Sequence, residues 1–381
     1  MKITIVMGFF LPMPPVAGGA VEKSWHRLAR EFVQRGHEIT LISRQWHDWP
    51  KDEVIAGVRY LRVPGFNHRR KLWHNLLLDF IWSLRVHRQL PDADIVALNT
   101  ISLPCWLGTL HPLAGKVVVM PGRMPKGQFH FYRRPARILV PSNPVHDAVV
   151  AERPAFRSLI RTVGYPIDWS ALASASQQNG NGVTIGYIGR INREKGLDLL
   201  MGAFRRLGLM ELPPWRAIIC GPSDIARGGS GQSYLHSLQH NAPPQTEFLE
   251  PIYDEPGLRK LYQQFDVFCY PSLSAQGETF GVSVAEAMAA GALPVVSALE
   301  CFRDFVIPGE TGLTFDATAP NAEEHLARNL ADLIQDRVKC AEMGRKARLA
   351  VRQYDFGLYA DRLLADFEQL TAAPEKASSA T

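Results

Sequence analysis

Short apolar runs alternate with longer amphipathic segments along this chain. The opening run KITIV is followed by a turn-rich stretch and then by a segment in which Trp25, Leu28 and Phe32 recur at helical spacing. Gly36 ends that segment, and a second β-branched run, EITLIS, follows it. A strand, a glycine-containing loop, a helix and a second strand make a βαβ unit, so the pattern predicts a parallel sheet.

The same alternation runs through two stretches of the chain, separated at residues 163–182 by a segment rich in Pro, Ser, Asn and Gly. Further buried strands are predicted at 94–99, 116–121, 137–142, 183–190, 216–223, 246–252, 267–272 and 292–297. We therefore predict two doubly wound, Rossmann-like α/β domains that face each other, over 1–165 and 166–353. An amphipathic helix at 354–370 is expected to pack back onto the first domain, and 371–381 have the composition of a loose tail.

Charge differs between the two predicted domains. Residues 1–165 carry 23 Lys and Arg against 11 Asp and Glu, whereas the rest of the chain carries 19 against 26. A basic surface attracts nucleic acid, an anionic membrane or an anionic substrate through the same Coulomb term, so its sign alone does not choose among them.

Composition excludes several classes of protein. An apolar fraction of 46% without an uncharged apolar run of membrane-spanning length predicts a globular protein of the cytoplasm, either free or peripheral on the inner face of the membrane. The five cysteines are scattered without a C-x-x-C pair or a His cluster, so neither a structural metal nor a disulfide framework is expected. The absence of a G-x-G-x-x-G sequence and of a P-loop disfavours a nicotinamide dehydrogenase and a P-loop kinase.

The candidate chemistry is concentrated in the stretch GETFGVSVAEAMAAGALPVVS, which follows a predicted strand. Phe280, Gly281 and Val282 lie where a helix is expected to begin, and the free amides of a helix N-terminus are a usual site for a phosphate. Glu278 and Glu286 flank that point. Because a phosphate would repel both carboxylates, we expect the two glutamates to bind sugar and ribose hydroxyls instead.

Positive charge for the phosphate appears after the first strand of the second domain. Arg190 and Lys195 lie in the strand-to-helix loop GRINREKG, and they can form charge-assisted bonds with a diphosphate and stabilise it as a leaving group. In the first domain, Gly18 and Gly19 would allow the backbone to approach the donor closely.

These motifs together resemble the retaining GT-B glycosyltransferases of family 4, the glycosyl transferases of group 1. The likeness rests on the E-x7-E stretch, GRINREKG, FVIPGETGLTF at 305–315, and GGAVEKSWHRLAREFVQRGHEITLIS near the start. It implies two facing Rossmann-like domains with an interdomain cleft, and transfer of a hexose from a nucleotide diphosphate to a glycan or lipid-linked acceptor in polysaccharide or glycolipid synthesis. The resemblance also implies retention at the anomeric carbon, no required metal or other cofactor, and no nucleic-acid partner.

The resemblance assigns roles to four residues of this sequence. Glu278 would hold hydroxyls of the donor sugar and Glu286 the ribose, while Arg190 and Lys195 would bind the diphosphate. Glu278, Arg190 and Lys195 are thus the catalytic candidates, and Gly18, Gly19, Phe280, Gly281 and Val282 join Glu286 as donor-binding candidates.

The acceptor side departs from the family's pattern. Members of the family often carry a histidine after the strand that corresponds to KVVVMP, and Pro121 stands there in this chain. His130 would replace that histidine only if the loop folds back, and Arg123 is the other acceptor-side candidate.

Two alternatives to a transferase have the same architecture. A sugar-nucleotide epimerase would use the donor site without an acceptor, and a non-catalytic membrane- or partner-binding protein would use neither.

Residues 67–90 combine apolar side chains with a basic flank, which fits either a core helix with basic ends or a helix on an anionic membrane. The residues of this pattern are Trp73, Leu76, Leu77, Phe80, Ile81 and Leu84, with Arg69, Arg70, Lys71, Arg85 and Arg88.

Overall fold

The computed structural model describes residues 1–16, 19–69, 71–110, 115–174 and 182–372, and the chain divides into two units. The first unit is Met1–Pro166 with the C-terminal segment that begins at Phe356, and the second is Ile167–Asp355. Each unit has a central, largely parallel sheet with helices packed on it, so the predicted pair of Rossmann-like α/β domains is confirmed.

Over its described residues, the first unit forms an eight-stranded sheet in the order β3-β4-β2-β1-β5-β6-β7-β8. Its strands are β1 (Lys2–Val6), β2 (Glu38–Arg44), β3 (Asp52–Ile55), β4 (Val58–Val63), β5 (Ile95–Leu98), β6 (Lys116–Val119), β7 (Arg137–Val140) and β8 (Ile160–Thr162). Strand β3 pairs antiparallel with β4, and the other neighbours pair parallel. Its helices are α1 (Ala20–Gln34), α2 (Leu72–His87), α3 (Leu107–Leu110), α4 (Asn143–Glu152) and α12 (Phe356–Ala372).

Helix α12 packs beside α1 in the first unit. The rings of Phe32 and Phe367 lie with their centroids 6.4 Å apart inside the core, and Arg35 pairs with Asp361 at 2.5 Å. The helix continues through Thr371 and Ala372, which the sequence had assigned to the loose tail; residues 373–381 of that tail lie outside the described residues.

In the second unit, the described residues form a six-stranded parallel sheet in the order β11-β10-β9-β12-β13-β14. Its strands are β9 (Val183–Ile188), β10 (Trp215–Cys220), β11 (Thr246–Leu249), β12 (Val267–Tyr270), β13 (Leu293–Ser297) and β14 (Leu313–Phe315). Its helices are α5 (Trp169–Ala173), α6 (Leu197–Leu207), α7 (Gln232–Asn241), α8 (Glu255–Tyr262), α9 (Val282–Ala290), α10 (Ala322–Gln335) and α11 (Arg337–Ala350).

Strand order fixes where this second sheet can bind a ligand. From β9 the chain proceeds through β10 to β11 on one side, whereas β12 leads through β13 to β14 on the other. Ligands of open α/β sheets bind beyond the carboxyl ends of the strands at such a reversal, because the loops there diverge and leave a crevice. The loops after β9 and β12 are therefore the expected site.

Among the helices of the described ranges, none has the length and apolar character needed to cross a bilayer.

Candidate active site

The candidate site of the second unit lies on the loops that follow β9 and β12. The first loop passes through the 3-10 turn Arg193–Lys195 before α6, and the second leads into α9. The amide of Leu273 in the second loop donates a hydrogen bond of 2.8 Å to the carbonyl of Glu194 in the first. This edge of the sheet carries the donor candidates of the second unit: Arg190, Lys195, Glu278, Phe280, Gly281, Val282 and Glu286.

A buried ion pair joins the two loops. Nζ of Lys195 lies 2.6 Å from Oε2 of Glu278, and the two side chains are only 5% and 11% exposed. The amide of Glu278 also donates to the carbonyl of Ser274 at 3.0 Å, which fixes the backbone of the glutamate. Because partly desolvated charges interact strongly, each partner holds the other in one position.

Aromatic rings form the floor beneath this pair. Nζ of Lys195 lies 5.4 Å from the ring centroid of Tyr270, which in turn stacks on Tyr187 at 5.6 Å. Burial raises the pKa of both phenols well above the usual range, so both rings are neutral at physiological pH. An ammonium has three N–H donors, so Lys195 can hold Glu278 and still offer a donor to a phosphate oxygen.

Arg190 is held more loosely than Lys195. Its Nη2 pairs with Oε1 of Glu194 at 2.9 Å and its Nη1 donates to the carbonyl of Gly228 at 3.2 Å. The side chain is 44% exposed, and exposed ion pairs contribute little free energy. Arg190 can therefore exchange Glu194 for an anion at small cost.

The N-terminus of α9 has the conformation that only glycine adopts readily. Gly281 is the N-cap with φ of +90°, and a Cβ there would stand 2.5 Å from Cε1 of the buried Phe302. The side chain of Phe280 packs between Phe305 and Tyr354, with centroids 4.9 and 5.1 Å away. Only the backbone of Phe280 can then face a ligand, together with the first amides of the helix, which begins at Val282.

Glu286 is oriented by a residue that the sequence did not single out. The hydroxyl of Tyr262, at the end of α8, donates a hydrogen bond of 2.8 Å to Oε2 of Glu286. Burial and the neighbouring carboxylate raise the pKa of Tyr262 well above the usual range, so it remains a donor at physiological pH. Tyr262 lies in a helical apolar pattern, where a tyrosine is indistinguishable from an ordinary core residue.

In the first unit, Gly19 makes the turn that starts α1, whereas Gly18 lies outside the described residues. Gly19 is the N-cap with φ of +97°, and a Cβ would lie 2.1 Å from Oε2 of Glu22. Glu22 is buried, and burial raises the pKa of its carboxyl. Gly19 thus has a structural role in this turn, and its contact with a donor stays a prediction.

A pocket opens at the carboxyl edge of the first sheet, and Pro121 is part of its wall. Asn99 and Tyr165 give the pocket polar character: Asn99 accepts a hydrogen bond of 3.0 Å from the indole of Trp25, and burial raises the pKa of Tyr165 to about 12. Asn99 ends a predicted buried strand, a position at which a polar residue could have been found from sequence. The pocket is lined by Val21, Ser24, Trp25, Leu28, Asn99, Met120, Pro121, Gly122, Leu139, Pro141, Gly164, Tyr165, Pro166 and Tyr359.

The two acceptor-side candidates differ in their relation to this pocket. Arg123 is exposed directly after the pocket residue Gly122, and its charge acts on Tyr165. His130 is exposed in the 3-10 turn Gln128–His130 and is not among the pocket residues; its carbonyl accepts a hydrogen bond of 2.7 Å from Arg153. Arg123 is not among the pocket residues either, but it directly follows one of them and its charge reaches another, Tyr165, whereas no such relation is found for His130.

Comparison with known proteins gives the same architecture over nearly the whole chain. A family model described as glycosyl transferases group 1 matches residues 171–350. A phosphatidyl-myo-inositol mannosyltransferase of Mycobacterium tuberculosis (strain CDC 1551 / Oshkosh) is 24% identical over 413 residues, covering 100% of each chain. Sucrose-phosphate synthase from Thermosynechococcus elongatus has a TM-score of 0.77 at 19% identity over 97% of this chain and 99% of its own. HepE of Anabaena, in complex with UDP and glucose, has a TM-score of 0.67 at 18% identity over 97% and 100%.

Proposed function

We propose that this chain, which belongs to the glycosyl transferases of group 1, is a retaining hexosyltransferase of family 4 that needs no metal ion. Its donor is a nucleotide diphosphate sugar, and its acceptor is a glycan or a lipid-linked molecule. The observation that carries the proposal is the buried pair of Lys195 and Glu278, at the strand-order reversal of the second unit and next to the N-terminus of α9.

The chemistry follows from where charge develops. When the bond between the sugar and the diphosphate breaks, negative charge accumulates on the diphosphate oxygens. Lys195, Arg190 and the first amides of α9 supply positive charge and N–H donors for these oxygens. Because these groups stabilise the leaving group more strongly than the intact donor, they lower the barrier.

The two glutamates then position the two sugars of the donor. Glu278, held in place by Lys195, accepts hydrogen bonds from hydroxyls of the transferred sugar. Glu286, oriented by Tyr262, accepts them from the ribose. Both carboxylates thereby bind neutral hydroxyls and do not face the phosphates.

We assign acceptor binding to the first unit, with Arg123 and the pocket that Pro121 lines as the candidate groups. The basic composition of residues 1–165 suits an anionic acceptor. The full-length likeness to a phosphatidyl-myo-inositol mannosyltransferase supports an acceptor with a lipid anchor.

The proposal is tested by incubating the protein with a panel of nucleotide sugars and following release of the nucleotide diphosphate with and without lipid-linked acceptors. A transferase releases it in an acceptor-dependent reaction whose product has the anomeric configuration of the donor. An epimerase would convert the donor sugar without needing an acceptor. A binding protein would do neither, and either of the last two results would contradict the proposal.

Transfer is expected to continue at an unchanged rate in EDTA. Among the described residues no group of three or more His, Cys, Asp or Glu side chains is placed to hold a metal ion. The proposed electrostatic work falls on Lys195, Arg190 and the α9 amides. The measurement is the initial rate of a dialysed sample with EDTA, and with magnesium or manganese added. A rate that collapses in EDTA and returns only with a divalent ion would contradict metal independence.

Replacing Tyr262 by Phe is expected to raise KM for the nucleotide sugar about tenfold and to leave kcat within a few-fold, because one hydrogen bond to a charged group is worth about 1.5–3 kcal/mol. The loss affects Glu286 and hence ribose binding, not the breaking bond. Tyr60→Phe is the matched control, since the buried Tyr60 also loses one hydroxyl, there bonded to His26 at 2.9 Å in the first unit. Equal KM values for Tyr262→Phe and the parent would contradict the proposed role of Glu286 in binding the donor.

A further inference from the structure

Helix α2 of the first unit exposes large apolar side chains and buries two polar ones, Asp79 and Ser83. Five large apolar residues lie 40–58% exposed along one face: Trp73, Leu76, Leu77, Phe80 and Leu84. We call them the α2 stripe. They follow one another at intervals of three or four residues or as direct neighbours, and the stripe is about 16 Å long at 1.5 Å per residue. The core interpretation of these five residues is therefore wrong.

The opposite face of α2 explains how the helix is held. Asp79 and Ser83 are buried there beside Trp82. The carboxylate of Asp79 accepts hydrogen bonds from the amides of Ile101 at 3.2 Å and Ser102 at 2.7 Å, and the indole of Trp82 donates to the carbonyl of Met7 at 3.2 Å. The helix is thus anchored through these polar contacts and through Trp82 and Val86 in the hydrophobic core, so the stripe is not needed to attach it to the unit.

Positive charge lies at both ends of the stripe, without an exposed carboxylate between them. Lys71 and Arg69 are exposed at the start of α2. The backbone amide of Arg69 donates a hydrogen bond of 2.8 Å to Oδ1 of Asn75, and the backbone carbonyl of Arg69 accepts one of 2.7 Å from Nδ2 of Asn75. Arg88 is exposed at the other end. The one acidic residue of 67–90 is the buried Asp79.

Arg85 of this segment does not belong to the exposed charge. Arg85 donates to the carbonyl of Pro64 at 2.6 Å and stacks over Phe66 at 4.6 Å, so it holds the helix to its neighbours. Arg70 lies outside the described residues. The exposed charge that the structure shows therefore consists of Arg69, Lys71 and Arg88.

We propose that the α2 stripe docks the first unit onto an anionic lipid surface. Large apolar side chains enter the boundary between headgroups and acyl chains, and a tryptophan near one end suits that boundary because its ring is apolar and its N–H is polar. The flanking lysine and arginines bind the anionic headgroups.

A second copy of the chain fits this surface less well. A parallel or an antiparallel pairing of two α2 stripes would bring the basic ends of one copy next to basic ends of the other. Like charges at an interface oppose association. An anionic bilayer instead complements both ends of the stripe at the same time.

The test is co-sedimentation of the full chain with two kinds of vesicle: phosphatidylcholine alone, and an equimolar mixture with phosphatidylglycerol. We expect the parent to bind the mixed vesicles, and added salt to weaken binding because exposed charges are screened over about 8–10 Å. Changing Arg69, Lys71 and Arg88 to Gln is expected to lower the partition coefficient about fivefold per charge, or about a hundredfold together. Changing Leu77 and Phe80 to Gln is expected to lower it at least about tenfold.

The control variants replace exposed apolar and exposed charged residues of the second unit by Gln. Leu209→Gln with Val338→Gln alters two residues that are 89% and 80% exposed, and Lys260→Gln with Lys339→Gln removes two exposed charges. We expect both controls to bind as the parent does. Equal losses in the controls would show general adsorption and would overturn the proposal.

Three further results would also overturn it. The first is equal sedimentation of the parent and the stripe variants. The second is a concentration-dependent dimer that the Leu77 and Phe80 variant abolishes, without vesicle binding. The third is a lower urea midpoint in the stripe variants, which would show that these side chains hold the unit together. Sedimentation requires no sugar donor, so its result is independent of whether the chain transfers sugar.

Discussion

Replacing Lys195 by Met is expected to lower kcat/KM for sugar transfer by a factor on the order of 100 to 1,000, equivalent to about 3–4 kcal/mol. Lys195 is the buried cation of the candidate site, and methionine fills a similar volume without charge. The loss should appear mainly in kcat, because the contact with the leaving diphosphate strengthens as the bond breaks. The measurement is steady-state nucleotide release with the active donor from the panel.

Folding has to be separated from catalysis in this variant. Lys195→Met leaves Glu278 buried without the ammonium 2.6 Å away, and breaking a buried pair destabilises a protein by about 3–5 kcal/mol. Adding Glu278→Gln removes the stranded charge, so the double variant should recover most of the free energy of unfolding and still transfer no sugar. Arg193→Met is the matched control in the same turn, since Arg193 is 67% exposed. Recovery of transfer in the double variant would show that the pair serves stability alone.

The sequence predicted the parts of the site because each comes from a local pattern. Apolar runs located β9 and β12, and the loops after them contain Arg190, Lys195 and Glu278. That these loops are adjacent follows from strand order, since β9 and β12 are neighbours although about 80 residues separate them in the chain. The pairing of Lys195 with Glu278, by contrast, depends on loop conformations that no periodic pattern in the sequence predicts.

Three features of the sheets were missed for different reasons. The hairpin of β3 and β4 turns at Ala56 and Gly57, which both adopt positive φ, 49° and 81°, as a type I′ turn requires. Ala-Gly is not one of the pairs that signal such a turn, which are Asn-Gly, Asp-Gly and Gly-Gly. Strands β8 and β14 have only three residues each, too short for a periodic pattern. Such strands form because a neighbouring strand offers its backbone groups, which is a property of the sheet.

Helix α2 shows where a periodic pattern misleads. Its apolar residues have the spacing of a core helix, yet the face that is buried contains Asp79 and Ser83. Burial is decided by which neighbours offer partners, and the amides of Ile101 and Ser102 satisfy the carboxylate. Periodicity identifies a face, but it does not tell whether protein or something else covers that face.

Replacing Gly281 by Ala is expected to lower the free energy of unfolding by about 3 kcal/mol and to weaken nucleotide diphosphate binding at least about tenfold. The backbone at φ of +90° costs an alanine about 1–2 kcal/mol, and a Cβ only 2.5 Å from Phe302 adds an overpacking cost of about 1–3 kcal/mol. Because the ring of Phe302 is buried against Tyr270 and Phe305, we expect relief of that clash to move the start of α9. The amides proposed to bind the diphosphate are then displaced, and a displacement of even a fraction of an ångström weakens such contacts.

Gly309→Ala separates the backbone cost of a positive φ from the cost of the clash with Phe302. Gly309 lies in the same unit at φ of +78°, with no atom within 4 Å of the position that a Cβ would take, so it shares the backbone strain without the clash. We expect this control to lose only about 1–2 kcal/mol of stability and to bind UDP or GDP as the parent does. Urea unfolding and titration calorimetry on the parent and both variants measure the two effects. If Gly281→Ala binds nucleotide diphosphate as tightly as Gly309→Ala, the N-terminus of α9 does not hold the phosphates, and the donor site has to be placed on Lys195 and Arg190 alone.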